Sequence, residues 1–267
     1  MINPLDRDAL RQKFQNASPY PHMVIENFLD PAFAKELSTS YPTFDDALKQ
    51  GFSFNFVNEQ RKVQISDSKK FPEPLRRLND AISSPQFRAD LEYITGIKNL
   101  LADEALNGGG MHLTGPGGRL DVHVDFNRIE DRKLFRRLNI LIYLNPEWKP
   151  EWGGQIELWD KEVKVCHASC VPQLNRCLIF ETSDHSYHGV RPITSPPEIA
   201  RQSFAAYYYT TEAPANWDGK SHSTIFRARP DEKFRGLVSM PVEKFARQLQ
   251  KRVAGVKKRV KSLVGLS

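Results

Sequence analysis

His123 and Asp125 stand two residues apart in the stretch RLDVHVDF, residues 119–126. In an extended strand successive side chains point to opposite faces, so this imidazole and carboxylate project to one side while Val124 faces the other. One further imidazole would complete a 2-His-1-carboxylate set. That set occupies one face of an octahedron, suits a ferrous ion and leaves the remaining coordination positions open. His188 supplies the missing group.

Such residues need a scaffold that brings strand ends together, and the surrounding sequence reads as one. After the His-x-Asp pair come 138–144 (LNILIYL), a Trp-Gly-Gly turn at 152–154 and 155–159 (QIELW). These are followed by 177–181 (CLIFE), His188-Gly-Val-Arg-Pro-Ile, and Arg201 leading into 203–210 (SFAAYYYT). Short strand after short strand, separated by turn residues, indicates a β-barrel or sandwich. In 138–144 one face is apolar through Ile140, Ile142 and Leu144, and the other carries Asn139, Leu141 and Tyr143. Residues 107–118 (NGGGMHLTGPGG) hold six glycines. No Gly-Lys-Ser/Thr follows, and the segment runs straight into a strand, so turn geometry accounts for them better than a phosphate cradle. His112 either lines the pocket near a metal or is a hydrogen-bonded core histidine.

Over about residues 108–210 this order of residues resembles the Fe(II)- and 2-oxoglutarate-dependent dioxygenases, and within them the prolyl 4-hydroxylase-like branch. The resemblance implies a mainly β protein with flanking helices (α+β) and a double-stranded β-helix core of the jelly-roll or cupin-like kind. It makes His123, Asp125 and His188 the metal ligands and the catalytic centre. His185 competes for the distal position, but His188 is the one followed by Gly-Val-x-Pro-Ile, as in that family. The resemblance further implies that Arg201 and Tyr143 bind the far carboxylate of 2-oxoglutarate; on the same strand as Tyr143, Asn139 either reaches the co-substrate or makes a structural hydrogen bond, and His112 is a further candidate for the co-substrate pocket. Pro196, Pro197 and Glu198 account for a slightly long interval between His188 and Arg201. The implied cofactors are Fe(II), 2-oxoglutarate as co-substrate, O2, and ascorbate as reductant. The implied activity is an oxidoreductase reaction, hydroxylation of an unactivated C–H bond coupled to decarboxylation of 2-oxoglutarate to succinate. Related halogenases replace the carboxylate ligand by a small residue, so Asp125 argues for hydroxylation. A prolyl side chain of a protein or peptide leads as substrate. A small molecule, an amino acid or a glycan sugar remains open, as does a non-catalytic β-helix binding module.

A chain of 267 residues with 40% apolar content can bury a full core. We expect one structural domain with three parts: 1–107 as support, 108–212 as catalytic core and 213–267 as a C-terminal extension. In the first part 22–28 reads as a strand, Asp30 and Pro31 as the N-cap and first residue of a helix through about Ser38, and 74–97 as a helical region interrupted near 83–85. Phe52, Phe54 and Phe56 alternate in a strand that is either an ordinary edge or a lid over the site mouth; the charge-rich 128–137 reads as a solvated turn or a second lid. Residues 241–267 carry eight Lys or Arg against one Glu, a charge of +7, which leaves 6 − 7 = −1 for the rest of the chain. Their apolar residues step by three and four, the pattern of a basic amphipathic helix that docks on the body, forms a homodimer seam, or binds an anionic membrane surface or nucleic acid. Cys166, Cys170 and Cys177 suit neither a disulfide framework nor a Cys-x-x-Cys metal site and read as reduced thiols. No stretch approaches the roughly 20 apolar residues of a membrane span, and the first residues lack the apolar centre of a signal peptide, so the expected location is cytoplasmic.

Overall fold

The computed structural model describes residues 1–232, 236 and 237. The helix expected over 241–267 lies outside the described residues. Within them the protein is mainly β with flanking helices, and the organising element is the 15-residue strand Gly110–Val124. Its first half pairs with Arg201–Thr210 on one side and Glu59–Ile65 on the other. Its second half pairs with His188–Val190. One strand therefore serves two sheets, and the corner falls in Gly115-Pro116-Gly117-Gly118. The bend is too tight for a side chain at Gly118, where a Cβ would lie 2.4 Å from Thr114 Cγ2 and 2.7 Å from the Gly115 carbonyl oxygen.

The larger sheet runs, in spatial order, His22–Ile25, Cys177–Glu181, Leu134–Tyr143, Arg201–Thr210, the first half of the shared strand, Glu59–Ile65 and Phe52–Phe54. The smaller runs Ile225–Arg227, the second half of the shared strand, His188–Val190, Ile156–Trp159 and Cys166–Cys170. All these pairings are antiparallel, and the result is the nearly closed jelly-roll of a double-stranded β-helix.

Alternation along each strand decides what lies between the sheets. Leu138, Ile140, Ile142 and Leu144 face away from the smaller sheet, into the main core. There they share a cluster with Phe33 and Leu37 of the helix Pro31–Thr39, Leu75, Leu78 and Ile82 of Glu73–Ser83, and Leu91 and Ile94 of Pro85–Thr95. Tyr143, Leu178 and Phe180 of the larger sheet instead meet Ile156, Leu158 and Cys170 of the smaller. Val122 and Val124 point out behind the smaller sheet, against Trp159, Val163 and Tyr187. The support helices form as their local sequence dictates. Asp30 accepts from the amides of Ala32 and Phe33 at 3.0 and 3.1 Å, and Ser84 accepts from Phe87 at 3.2 Å, ending one helix and starting the next.

Three local expectations are refined. Residues 52–56 combine the two readings offered: Phe52–Phe54 is an edge strand paired with Glu59–Ile65, and Phe54 and Phe56 also line the cavity described below. Residues 128–137 are not simply a solvated turn, because Leu134–Tyr143 begins within them and Arg136 is 3% exposed. Residues 166–170, singled out only for their cysteines, form an edge strand, and all three thiols are free. No helix among the described residues is long and apolar enough to cross a membrane.

Candidate metal centre and its cavity

His123 and His188 sit directly opposite each other on neighbouring strands of the smaller sheet, with ring centroids 4.3 Å apart. Both are buried, and each Nδ1 lies 2.9 Å from a backbone carbonyl two residues back, Asp121 for His123 and Ser186 for His188. A carbonyl only accepts, so each Nδ1 carries a proton and each Nε2 is the nitrogen left to face a metal. Those Nε2 atoms lie 3.6 and 3.5 Å from the two oxygens of Asp125, too far for hydrogen bonds and on one side of a common point. Among the described residues this is the group of three whose ligand atoms come within 4.8 Å of one another. His185, the rival for the distal position, is exposed.

The ionisation states suit a divalent cation. Burial, reinforced by the neighbouring His123, lowers the His188 imidazole to about 4, so it is neutral near pH 7. Burial pushes the Asp125 carboxyl up, but Arg136 and the two imidazoles outweigh it and hold it well below the usual carboxylate range. Arg136 Nη2 lies 3.0 Å from Asp125 Oδ2. The Asn139 amide donates to the same oxygen at 2.8 Å, and its own carbonyl accepts from Arg136 Nε and Nη2 at 2.9 and 2.8 Å. The guanidinium is also packed against the rings of Tyr207, at 3.6 Å, and Phe126, at 4.7 Å. Asn139 thus orients the carboxylate, the structural hydrogen-bonding role open to it, and it also lines the cavity. Arg136 was hidden in a run of charge that resembles surface. With Arg136→Met we expect Mn(II) affinity, measured by calorimetry, to fall about 10- to 100-fold, because the carboxylate loses the partner that keeps it ionised and aimed.

These groups open into a cavity of about 320 Å³. Its walls include Arg201, Ser203, His112 and Lys62 at one end and the aromatic rings of Phe54, Phe56, Phe126, Tyr207 and Phe226. Arg201 begins its strand after a turn in which the Ile199 amide donates to the Pro196 carbonyl, the short insertion expected there. It is 5% exposed, and its Nε donates to the Gly154 carbonyl at 2.8 Å. Gly154 has φ +71°, and a Cβ there would press on Trp148 at 2.9 Å and on Arg201 Cδ at 3.3 Å, so the Trp-Gly-Gly turn is what admits the arginine. Tyr143 is fully buried, with its ring centroid 4.9 Å from the Arg201 guanidinium carbon. It lies behind the lining residues, and its hydroxyl has no hydrogen-bond partner at standard geometry. A buried guanidinium on the cavity wall beside a buried tyrosine fits an incoming carboxylate. His112 lines the cavity but is bound through Nε2 to the Gly108 carbonyl at 3.0 Å, and burial holds its imidazole well below the usual range. His112 thus combines both readings, on the cavity wall and hydrogen-bonded within the core.

Comparison with known proteins agrees with this geometry. The family model for the 2OG-Fe(II) oxygenase superfamily matches residues 109–209. Prolyl 3,4-dihydroxylase OGFOD1 of Ostreococcus tauri is 25% identical over 224 residues, covering 79% of this chain and 42% of the relative. Prolyl 3-hydroxylase OGFOD1 of Mus musculus is 27% identical over 199 residues, covering 72% and 33%. The chain therefore spans less than half the length of these curated relatives. Among solved structures, a prolyl-4-hydroxylase of Pseudomonas putida superposes with a TM-score of 0.54 at 16% identity, covering 75% of this chain and 98% of that one. A prolyl hydroxylase of Trichoplax adhaerens gives 0.53 at 18% identity, covering 76% and 90%. At that identity the likeness speaks for the fold. The His-Asp-His cluster lies inside the matched span, so residues 109–209 form a domain of the 2OG-Fe(II) oxygenase superfamily, in a chain similar to prolyl hydroxylases.

Proposed function

We propose that this protein hydroxylates a prolyl residue of a protein or peptide, using Fe(II), 2-oxoglutarate and O2. The observation that carries the reading is the convergence of His123, Asp125 and His188 on one point of a cavity whose other end holds Arg201. His123, His188 and Asp125 would hold the iron through their Nε2 atoms and the carboxylate. Bound iron supplies the oxidising chemistry, in which 2-oxoglutarate and O2 give succinate and CO2 and one oxygen atom enters the target C–H bond. The chain's own residues bind and orient. Arg201 would take the distal carboxylate of 2-oxoglutarate, where its planar guanidinium can make charge-assisted bonds, with Tyr143 beside it. Arg136 and Asn139 keep Asp125 ionised and aimed. The aromatic walls suit an uncharged pyrrolidine ring, and the names of the curated relatives point the same way. Residues 1–107 act as the supporting layer, 108–212 as the catalytic core and 213–267 as an extension. Three free thiols support a reducing, cytoplasmic setting.

The test is succinate formation by protein reconstituted anaerobically with Fe(II), 2-oxoglutarate and ascorbate and then exposed to air, with and without proline-containing peptides. Slow succinate release alone, stimulated by such peptides with a 16 Da gain on proline, is the expected result. Stimulation by a small metabolite or a sugar instead would move the substrate assignment and leave the oxidant in place. Absence of both succinate and 2-oxoglutarate binding would favour a binding module built on the same fold.

A further inference from the structure

Part of the chain beyond the span that matches the oxygenase family reaches the metal centre. Ile225–Arg227 adds an antiparallel strand to the edge of the smaller sheet, pairing with Val124, His123 and Val122, and Phe226 falls directly opposite His123. Phe226, His123, His188 and Leu158 thus form one row across four strands. His123 has a ring on each side, Phe226 at 5.3 Å and 35° and His188 at 4.3 Å and 50°. Side chains alternate as a strand requires: Thr224 and Phe226 line the cavity, whereas Ile225 and Arg227 are exposed.

Two sets of contacts hold this segment in place. Arg229 is 5% exposed, donates through Nε to the fully buried Glu157 at 2.7 Å, and reaches the Leu120 carbonyl at 3.3 Å. Gly189, the residue after His188, fits beneath that guanidinium: a Cβ there would lie 3.1 Å from Arg229 Nη2. Upstream, His222 Nε2 lies 2.8 Å from Asp184, and the His222 amide donates to Asn127 Oδ1 at 3.0 Å. The segment is therefore tied at one end to the loops that carry Asp125 and precede His188, and at the other to the strands Ile156–Trp159 and Gly110–Val124.

We propose that residues 222–232 are a working part of the oxygenase site. Phe226 is a positioning residue that fixes the His123 imidazole and forms one wall of the substrate entrance, and Arg229 anchors it. The inference rests on His123 being an iron ligand. The bond from His123 Nδ1 to the Asp121 carbonyl holds one edge of the ring, and the tilt of its plane depends on what packs against its faces. Removing the phenyl ring opens one face to water.

The experiment titrates the full chain with Co(II), reading affinity by calorimetry and coordination by the visible d–d spectrum, for wild type, Phe226→Ala, Phe226→Leu, Ile225→Ala and Arg229→Lys. Phe226→Ala is expected to weaken binding about tenfold and to alter the spectrum, with most of the loss restored in Phe226→Leu. Ile225→Ala, on the outward face of the same strand, should bind as wild type does. Arg229→Lys keeps the charge but loses the fork, and should speed amide exchange across 224–232 while lowering affinity in the same direction as Phe226→Ala. Wild-type affinity and spectrum in Phe226→Ala, or faster exchange in Arg229→Lys with neither changed, would make the segment mere cover and overturn the inference while the proposed function stood. Failure of the wild type to bind Co(II) at all would overturn both.

Discussion

Replacing His188 with alanine is expected to remove metal binding and, with it, all 2-oxoglutarate-dependent succinate formation. The site offers two imidazoles and one carboxylate, each already oriented, and no fourth protein ligand stands nearby among the described residues. Losing one of three leaves a two-ligand site, for which a fall in Fe(II) or Mn(II) affinity on the order of 10³-fold or more, about 4 kcal/mol, is the reasonable scale. The informative comparison is His185→Ala. His185 is exposed, three residues away and absent from the cavity wall, so iron content by atomic absorption should stay at the wild-type level. Iron retained in His188→Ala and lost in His185→Ala would sink the ligand assignment. The fold should survive His188→Ala, because the strand His188–Val190 is held by pairs on both sides.

The second large effect belongs to Arg201. Its Nε is committed to the Gly154 carbonyl and its Nη1 lies 3.4 Å from Ser203 Oγ, which fixes the plane of the guanidinium and turns its outer edge to the cavity. Hydrogen bonds to charged groups contribute about 1.5–3 kcal/mol each. Two to one carboxylate, less the cost of ordering the co-substrate, give about 3–4 kcal/mol, so Arg201→Ala should raise the KM for 2-oxoglutarate by about two to three orders of magnitude. Metal affinity in the absence of 2-oxoglutarate should not change. Arg201→Lys should recover part of the loss, since the charge is kept and the planar fork is not. An unaltered KM would transfer the role to Lys62, another cation on the cavity wall, which is paired with Glu59 at 2.8 Å.

Much of this was legible along the chain because it is local. The two-residue period of a strand puts His123 and Asp125 on one face and Val124 on the other, and the structure places Val122 and Val124 in the outer cluster. The same period separates Leu138, Ile140 and Ile142, packed on the helices, from Asn139 and Tyr143 between the sheets. Asp30 before Pro31, and Ser84 between two amphipathic runs, mark helix starts through bonds to amides two or three residues on. Periodicity and capping act over a few residues, so their signals survive in a linear text.

What the tertiary structure alone decided is which distant residues complete the site. Arg136 sits in a run of arginines and lysines that reads as solvated surface, and only the pairing of Leu134–Tyr143 across the jelly-roll turns it inward onto Asp125. Asn139 is 14 positions from that carboxylate and touches it because the chain doubles back. Phe226 lies outside the recognisable domain altogether, and its contact with His123 depends on one antiparallel register and on Arg229 finding Glu157. A side chain's type announces what chemistry it can do. Its partner is set by which strands become neighbours, and that choice is made by the packing of whole sheets, for which no short stretch of sequence carries the information.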